Sequence, residues 1–282
     1  MQSIAEVINK LGNTMMGLTS ETCDKHTVNA NGRILEREIQ MISHDGEVFC
    51  PLCERERSTK ELSEAEDAKI KRFMAGQKYK TFENRSVLTD KGLLDSSFGN
   101  YETLEKEEID NKDRAVAAFK RYKEGEVFNT WLTGIPGVGK SHLAMSILRN
   151  LNESGDKDKS CLFVSVDEML MRIRDSFNNK ESRYTESYFV DLLSGVDYLV
   201  LDDLGAETGG TGTRKTATDF TLRILYAVAN GRQDKSTIVT SNLSRTALES
   251  MYDPKFVSRL MKNTHLINFK ETKDKRIRNI DF

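Results

Sequence analysis

Eight consecutive residues constrain this chain more than any others. Gly134 to Ser141 (GIPGVGKS) fits the pattern G-x-x-x-x-G-K-[ST] at every position. Glycines there let the backbone take positive φ and bring successive N–H groups against phosphate oxygens. The helix that follows adds the partial positive charge of its N-terminus. The cradle comprises Gly134, Gly137, Val138, Gly139, Lys140, Ser141 and His142, the last on the first turn of that helix. Lys140 is placed to reach the β- and γ-phosphates of ATP, and the Ser141 hydroxyl to hold Mg²⁺. An apolar strand, 128–133 (FNTWLT), enters the loop, and an apolar helix, 142–151 (HLAMSILRNL), leaves it. That strand–loop–helix frame is what the motif requires.

A phosphate loop needs an acidic partner at the end of a neighbouring strand. Residues 198–203 (YLVLDD) supply one. Asp202 is read as part of the Mg²⁺ shell. Asp203 is read as the residue that orients or activates the attacking water, with Glu207 a weaker candidate for the same base. A further apolar stretch, 237–242 (TIVTSN), ends in Asn242, which is placed to meet the γ-phosphate or the water.

Strand and helix signals alternate around these motifs. Strands are expected at 127–133, 161–166, 196–201, 237–240 and 265–269, and helices at 142–151, from Asp167 as an N-cap, and at 216–230. Such alternation implies an α/β fold with a parallel sheet covered on both faces. Before it, residues 54–80 are densely charged, with Leu62, Ala65, Ile70, Phe73 and Met74 at near-helical spacing. That segment is either a solvated helix joining two domains or a disordered linker.

The ordered set GIPGVGKSHLA, YLVLDDLGAE and TIVTSNLS resembles the DnaC/DnaI-type helicase loaders, AAA+ relatives of the initiator DnaA and the transposition helper IstB. The resemblance runs from about residue 98 to 278. It implies a three-layer P-loop AAA+ fold and an ATPase. By it, Asn242 is the sensor asparagine, and Arg259, in DPKFVSRL, is the arginine finger that enters a neighbouring subunit's site. Arg276 falls near a second sensor position or else in a solvated basic tail. Asp203 stands where many AAA+ ATPases have Glu, so slow hydrolysis, stimulated by partners, is expected.

The four cysteines are unevenly placed: Cys161 stands alone in a strand, as a small buried hydrophobe, and the other three lie near the start. Cys23-x-x-His26 and Cys50-x-x-Cys53 form two pairs separated by 23 residues. Each pair on a tight turn presents two ligands to one Zn²⁺, and four ligands close a structural tetrahedral site. His44 is an alternative to His26 without the pair spacing. Residues 33–41 look like strand between the two turns, a zinc-ribbon-like arrangement. A zinc-bearing N-terminal domain resembles the DnaI branch, where that domain engages the helicase. The expected domains are 1–57 (zinc-binding), 58–97 (charged helical linker) and 98–282 (AAA+ ATPase).

The composition sets limits. Of 282 residues 38% are apolar and 30% charged, with a formal net charge of −2. No global electrostatic pull draws the chain to nucleic acid or anionic lipid. No apolar run approaches a membrane span, so a cytoplasmic protein is expected. ATP, Mg²⁺ and Zn²⁺ are the expected cofactors. The expected partners are a hexameric replicative helicase, single-stranded DNA and further copies of the chain across the ATP site. The rival expectations are an IstB-like transposition helper and an ATP-switched adaptor without hydrolysis. The Gly-rich loop 208–215, ending basic, is either a contact for DNA or a neighbouring subunit, or a mobile connector. Phe98 and Tyr101 either flank the adenine or anchor the core. His265 is read as structural.

Overall fold

The computed structural model describes residues 17–30, 33–44, 46–208 and 216–277. Contacts divide the chain into two compact units, Met1–Phe73 and Met74–Phe282. The glycine-rich stretch 209–215 and Asp45 lie outside the described residues.

In the first unit three antiparallel strands, β1 (Gly17–Ala30), β2 (Arg33–His44) and β3 (Glu47–Phe49), pair in that order. The register slips between Cys23 and Thr27. The slip has a purpose, because residues three apart on a regular strand face opposite sides, and an irregularity re-aims them. The sequence suggests a tight turn for Cys23 and His26; the structure achieves the same end with a bulged strand. A helix, α1 (Pro51–Tyr79), starts with Pro at its first position. Cys50 and Cys53 share its first turn, closed by the Glu54 N–H to Cys50 C=O bond of 3.0 Å. The charged segment is therefore helical. Its apolar residues Leu62, Ile70, Phe73 and Met74 are all exposed.

The second unit is built on five parallel strands in the order β5-β6-β7-β4-β8: β4 (Asn129–Thr133), β5 (Cys161–Ser165), β6 (Tyr198–Asp202), β7 (Ser236–Ser241) and β8 (Thr264–Asn268). Period-two alternation sends their side chains into two separate cores. Trp131, Leu162, Leu199 and Val239 enter one, and Leu132, Phe163, Val200 and Ile238 the other. Helices cover both, which makes three layers. The central cover is α4 (Lys140–Glu153), with Leu143, Met145, Ile147, Leu148 and Leu151 buried. Ahead of it lie α2 (Thr81–Arg85) and α3 (Lys106–Lys123), and α3 opens with a capping box between Glu105 and Glu108. After β5 come α5 (Val166–Ser176) and α6 (Glu186–Gly195), then α7 (Asp219–Gly231), α8 (Arg245–Met251) and α9 (Pro254–Leu260).

Several expected boundaries shift. Ser165, not Asp167, stands at the N-cap of α5, and Asp167 lies in its first turn. Helix α7 begins after Thr218, whose side chain accepts from the Thr221 N–H. Residues ahead of position 98 also belong to this unit: Val87 is buried and bridges Val164 of β5.

Arg232, just after α7, is 4% exposed. Its guanidinium donates to Thr237 Oγ1 and to the carbonyls of Leu193, Val196, Asp197 and Ser236. It ties three chain segments at the amino ends of the strands. Among the described residues no helix is long and apolar enough to cross a membrane.

Candidate nucleotide site and metal centre

Strand β4 lies between β7 and β8, and the chain runs from it to β5 on the far side of β7. Parallel sheets bind ligands at the carboxyl ends of strands where connections diverge in this way. The phosphate loop sits there. Gly137 and Gly139 have φ of +79° and +97°, values that a Cβ disfavours. Space forbids one as well. A Cβ on Gly137 would fall 1.8 Å from Asp274 Oδ1, and one on Gly139 2.6 Å from the Tyr101 ring. The segment after β8 closes on the loop again through the Lys275 N–H to Gly137 C=O bond of 3.0 Å.

Lys140 is 5% exposed. Its ammonium donates to the Gly134 and Ile135 carbonyls, both at 2.8 Å, and to Asn242 Oδ1 at 2.7 Å. Asn242 Nδ2 in turn donates to Asp203 Oδ1 at 2.7 Å. The asparagine thus links the loop lysine to the second acid. Burial pulls Lys140 down to about 8, against the raising effect of Asp203 and Asp202. Burial also raises Asp202, while hydrogen bonds from Thr240 and Ser141 oppose the shift. Ser141 thus lies near Asp202, and hydroxyl and carboxylate oxygens are the hard ligands that Mg²⁺ takes. Asp203 stands at φ +59°, a left-handed conformation for a residue other than glycine.

The lowered lysine predicts a pH dependence. Phosphate beside the ammonium favours its charged form, so binding takes up a proton wherever free Lys140 is neutral. Below about pH 7 the lysine is charged in both states and affinity is flat. Above about pH 8 affinity falls, by up to about tenfold per pH unit. Equilibrium titration of a fluorescent ATP analogue across this range checks it. A flat profile in the wild type would remove the inference, and Lys140→Arg is expected to flatten it.

Other candidates find different places. The Glu207 carboxylate accepts from the Gly205 N–H at 2.9 Å and from the Tyr252 hydroxyl, so it is bound into its own loop. Tyr101 is buried over Gly139, with His142 edge-on at 5.3 Å, and Phe98 packs on Phe119; both anchor the core. The His142 ring bonds the Ser97 carbonyl, and the His265 ring bonds the Arg114 carbonyl. Arg276 pairs with Asp274 beside the loop, near enough to lower Lys140. Arg259 lies 4.7 Å above the Tyr226 ring, in a cavity shared with Phe128, Asn129, Arg232 and Asn263. Those residues mark the amino end of β4, one strand length of about 16 Å from the phosphate loop. Arg259 is therefore remote from its own chain's loop.

The four sequence-picked ligands in the first unit do converge. Their ligand atoms all lie within 4.8 Å of one another. Cys23 Sγ stands 3.7 Å from Cys53 Sγ, and His26 Nδ1 stands 3.5, 3.7 and 3.4 Å from the sulfurs of Cys23, Cys50 and Cys53. A zinc tetrahedron with Zn–S of about 2.3 Å and Zn–N of about 2.05 Å has edges of about 3.5–3.8 Å. The cluster fits a metal of that size and coordination. The Lys25 N–H points at Cys23 Sγ at 3.4 Å, and with His26 it holds that thiol down at about 6. Sequence reasoning missed Glu56, whose carboxylate bonds His26 Nε2 at 3.0 Å. A carboxylate on the far nitrogen fixes which nitrogen faces a metal. Its signal is helical spacing, one turn after Cys53.

The three-layer parallel fold, the phosphate loop and the acids facing it define a P-loop protein of the AAA+ class. A family model of IstB-like ATP-binding proteins matches residues 86–279. The chain belongs to that family. It is 28% identical over 172 residues to the replicative helicase loader DnaC of Buchnera aphidicola subsp. Acyrthosiphon pisum, covering 59% of this chain and 63% of the relative. Against DnaC of Escherichia coli K12 it is 33% identical over 115 residues, covering 40% and 43%. The chain thus spans less than two thirds of the length of these relatives. The crystal structure of a DnaC helicase loader superposes with a TM-score of 0.50 at 20% identity, over 64% of this chain and all of that one. That of DnaI gives 0.51 at 19%, over 66% and 96%. These two likenesses speak for the fold. The metal cluster lies ahead of the family match.

Proposed function

We propose that this chain is an ATP-dependent helicase loader, a cytoplasmic protein that binds a hexameric replicative helicase and delivers it onto single-stranded DNA. The supporting observation is its similarity to DnaC loaders over 172 and 115 residues. In this reading the backbone of Gly134, Gly137, Val138 and Gly139, with the first turn at His142, cradles the phosphates, and Lys140 turns from the loop carbonyls to them. Ser141 and Asp202 hold Mg²⁺, which neutralises phosphate charge when bound. Asp203 orients the attacking water and Asn242 reports the γ-phosphate. Arg259 serves the site of a neighbouring copy, so ATP drives self-association. Residues 1–57 form the helicase-binding domain around Zn²⁺ held by Cys23, His26, Cys50 and Cys53. The charged helix leads on to the ATPase unit, Met74–Phe282.

Native-mass titration of the full chain, with ATP and Mg²⁺, against the hexameric helicase of the same host tests this. The expected result is a complex with the hexamer that weakens when Cys50 and Cys53 are replaced by serine. No complex, with duplex DNA bound instead, would favour a transposition helper.

A further inference from the structure

The β6–β7 ladder ends at the pair Leu201↔Val239. Beyond it both chains carry functional groups, and side chains replace the ladder. Thr240 does most of this. Its hydroxyl lies 2.7 Å from Asp202 Oδ1 and 2.8 Å from the Asp203 amide nitrogen. The assignment is forced. The Asp203 N–H can only donate, so it fills a lone pair of the hydroxyl, and the single hydroxyl proton then goes to the Asp202 carboxylate. Thr240 is fully buried, and Asp202 is only 7% exposed. The Thr240 carbonyl also accepts from the Leu204 N–H at 2.9 Å. One residue thereby fixes a carboxylate oxygen of one acid and the backbone of the next.

The backbone it fixes is the unusual one. Asp203 leaves the strand at φ +59°, a conformation that persists only where the surroundings over-determine it. With its amide tied to Thr240, the Asp203 carboxylate swings toward Asn242. With one oxygen tied to Thr240, Asp202 keeps its remaining lone pairs for the side of Ser141, whose hydroxyl is near enough to oppose the rise of its pKa. We propose that Thr240 is a positioning residue for the nucleotide site. Its hydroxyl sets the angle between the acid facing the metal position and the acid facing the water position. This rests on the reading of Asp202 and Asp203 given above and deepens it.

The test compares the full-length wild type with Thr240→Val, which keeps shape and removes both hydrogen bonds, and Thr240→Ser, which keeps the hydroxyl. A Ser/Ala pair at the same position repeats the contrast at nearly equal volume and stands in if the valine variant does not fold. The first readout is affinity for a fluorescent ATP analogue in EDTA and in Mg²⁺. In EDTA all variants are expected to agree within about twofold. The gain on adding Mg²⁺ is expected to shrink about tenfold or more in Val and Ala and to survive in Ser, the range seen when partners of metal ligands are removed. The second readout is turnover, expected to follow the same order. A wild-type Mg²⁺ gain in Val and Ala would overturn the proposal, as would equal losses in EDTA and Mg²⁺. If the wild type gains affinity with Mg²⁺ but never turns over, the hydrolysis reading fails while the role of Thr240 stands. If the wild type shows no Mg²⁺ gain, both fail.

Discussion

Replacing Asp203 by asparagine is expected to leave ATP affinity unchanged within about twofold and to lower turnover by about 10²–10⁴-fold, the usual contribution of a general base. The separation follows from the hydrogen bonds. Lys140 is held by the Gly134 and Ile135 carbonyls and by Asn242. None of these partners is Asp203, so the phosphate cradle survives the change. Asparagine is the better probe than alanine because it keeps the shape and tolerates the left-handed backbone. Alanine at φ +59° adds strain of about 1 kcal/mol. The measurement is phosphate release with the helicase and single-stranded DNA present, beside equilibrium binding. Wild-type turnover in the variant would remove Asp203 from the chemistry. Glu207 offers no ready substitute, since its carboxylate is committed to Gly205 and Tyr252.

The parts of this site legible in the sequence are those where local composition is the function. A phosphate loop is written in one stretch because consecutive N–H groups do the work, so Gly134 to Ser141 and the α4 frame needed no partner to be recognised. The strands β4 to β7 were legible within a few residues because each is an apolar run buried on both faces; β8, an edge strand with Leu266 exposed, was legible from its apolar residues alone. Helix α3 passed unread. Its buried face is made of Glu108, Asn111, Ala115, Ala118 and Tyr122, with no large aliphatic side chain to announce it. Thr240 passed unread for another reason: a threonine in an apolar strand looks like a strand former, and its role exists only where β7 meets the turn of β6. Arg232 is hidden likewise, because all its partners but the Thr237 hydroxyl are carbonyls, which leave no mark in a sequence. The cysteine pairs were legible from spacing, yet the bulge that turns Cys23 and His26 to one side was not.

Removing the zinc proposed for the Cys23–His26–Cys50–Cys53 cluster is expected to unfold the first unit and leave the second intact. Among the described residues of Met1–Phe73, the buried hydrophobic side chains are Cys23 and Cys50, at 2% and 3% exposure. Leu18 and Val48 on its strands are exposed. With so little apolar burial among its described residues, the sheet is expected to depend on the proposed metal for folding free energy, about 10–16 kcal/mol for comparable sites. The second unit has its own two cores and reports on itself, because the chain's one tryptophan, Trp131, lies in it at 1% exposure. Chelation of the purified protein is expected to release about one zinc per chain, abolish amide protection across β1 and β2, and leave Trp131 fluorescence unchanged. Cys50→Ser is expected to do the same without a chelator. Glu56→Gln, which keeps all four ligands and weakens the hold on His26, is expected to lower zinc affinity by about 10–100-fold while the saturated protein stays folded. A metal-free preparation with full protection in β1 and β2 would show that the strands stand without the ion. The convergence of three sulfurs and one imidazole nitrogen would then need another cause.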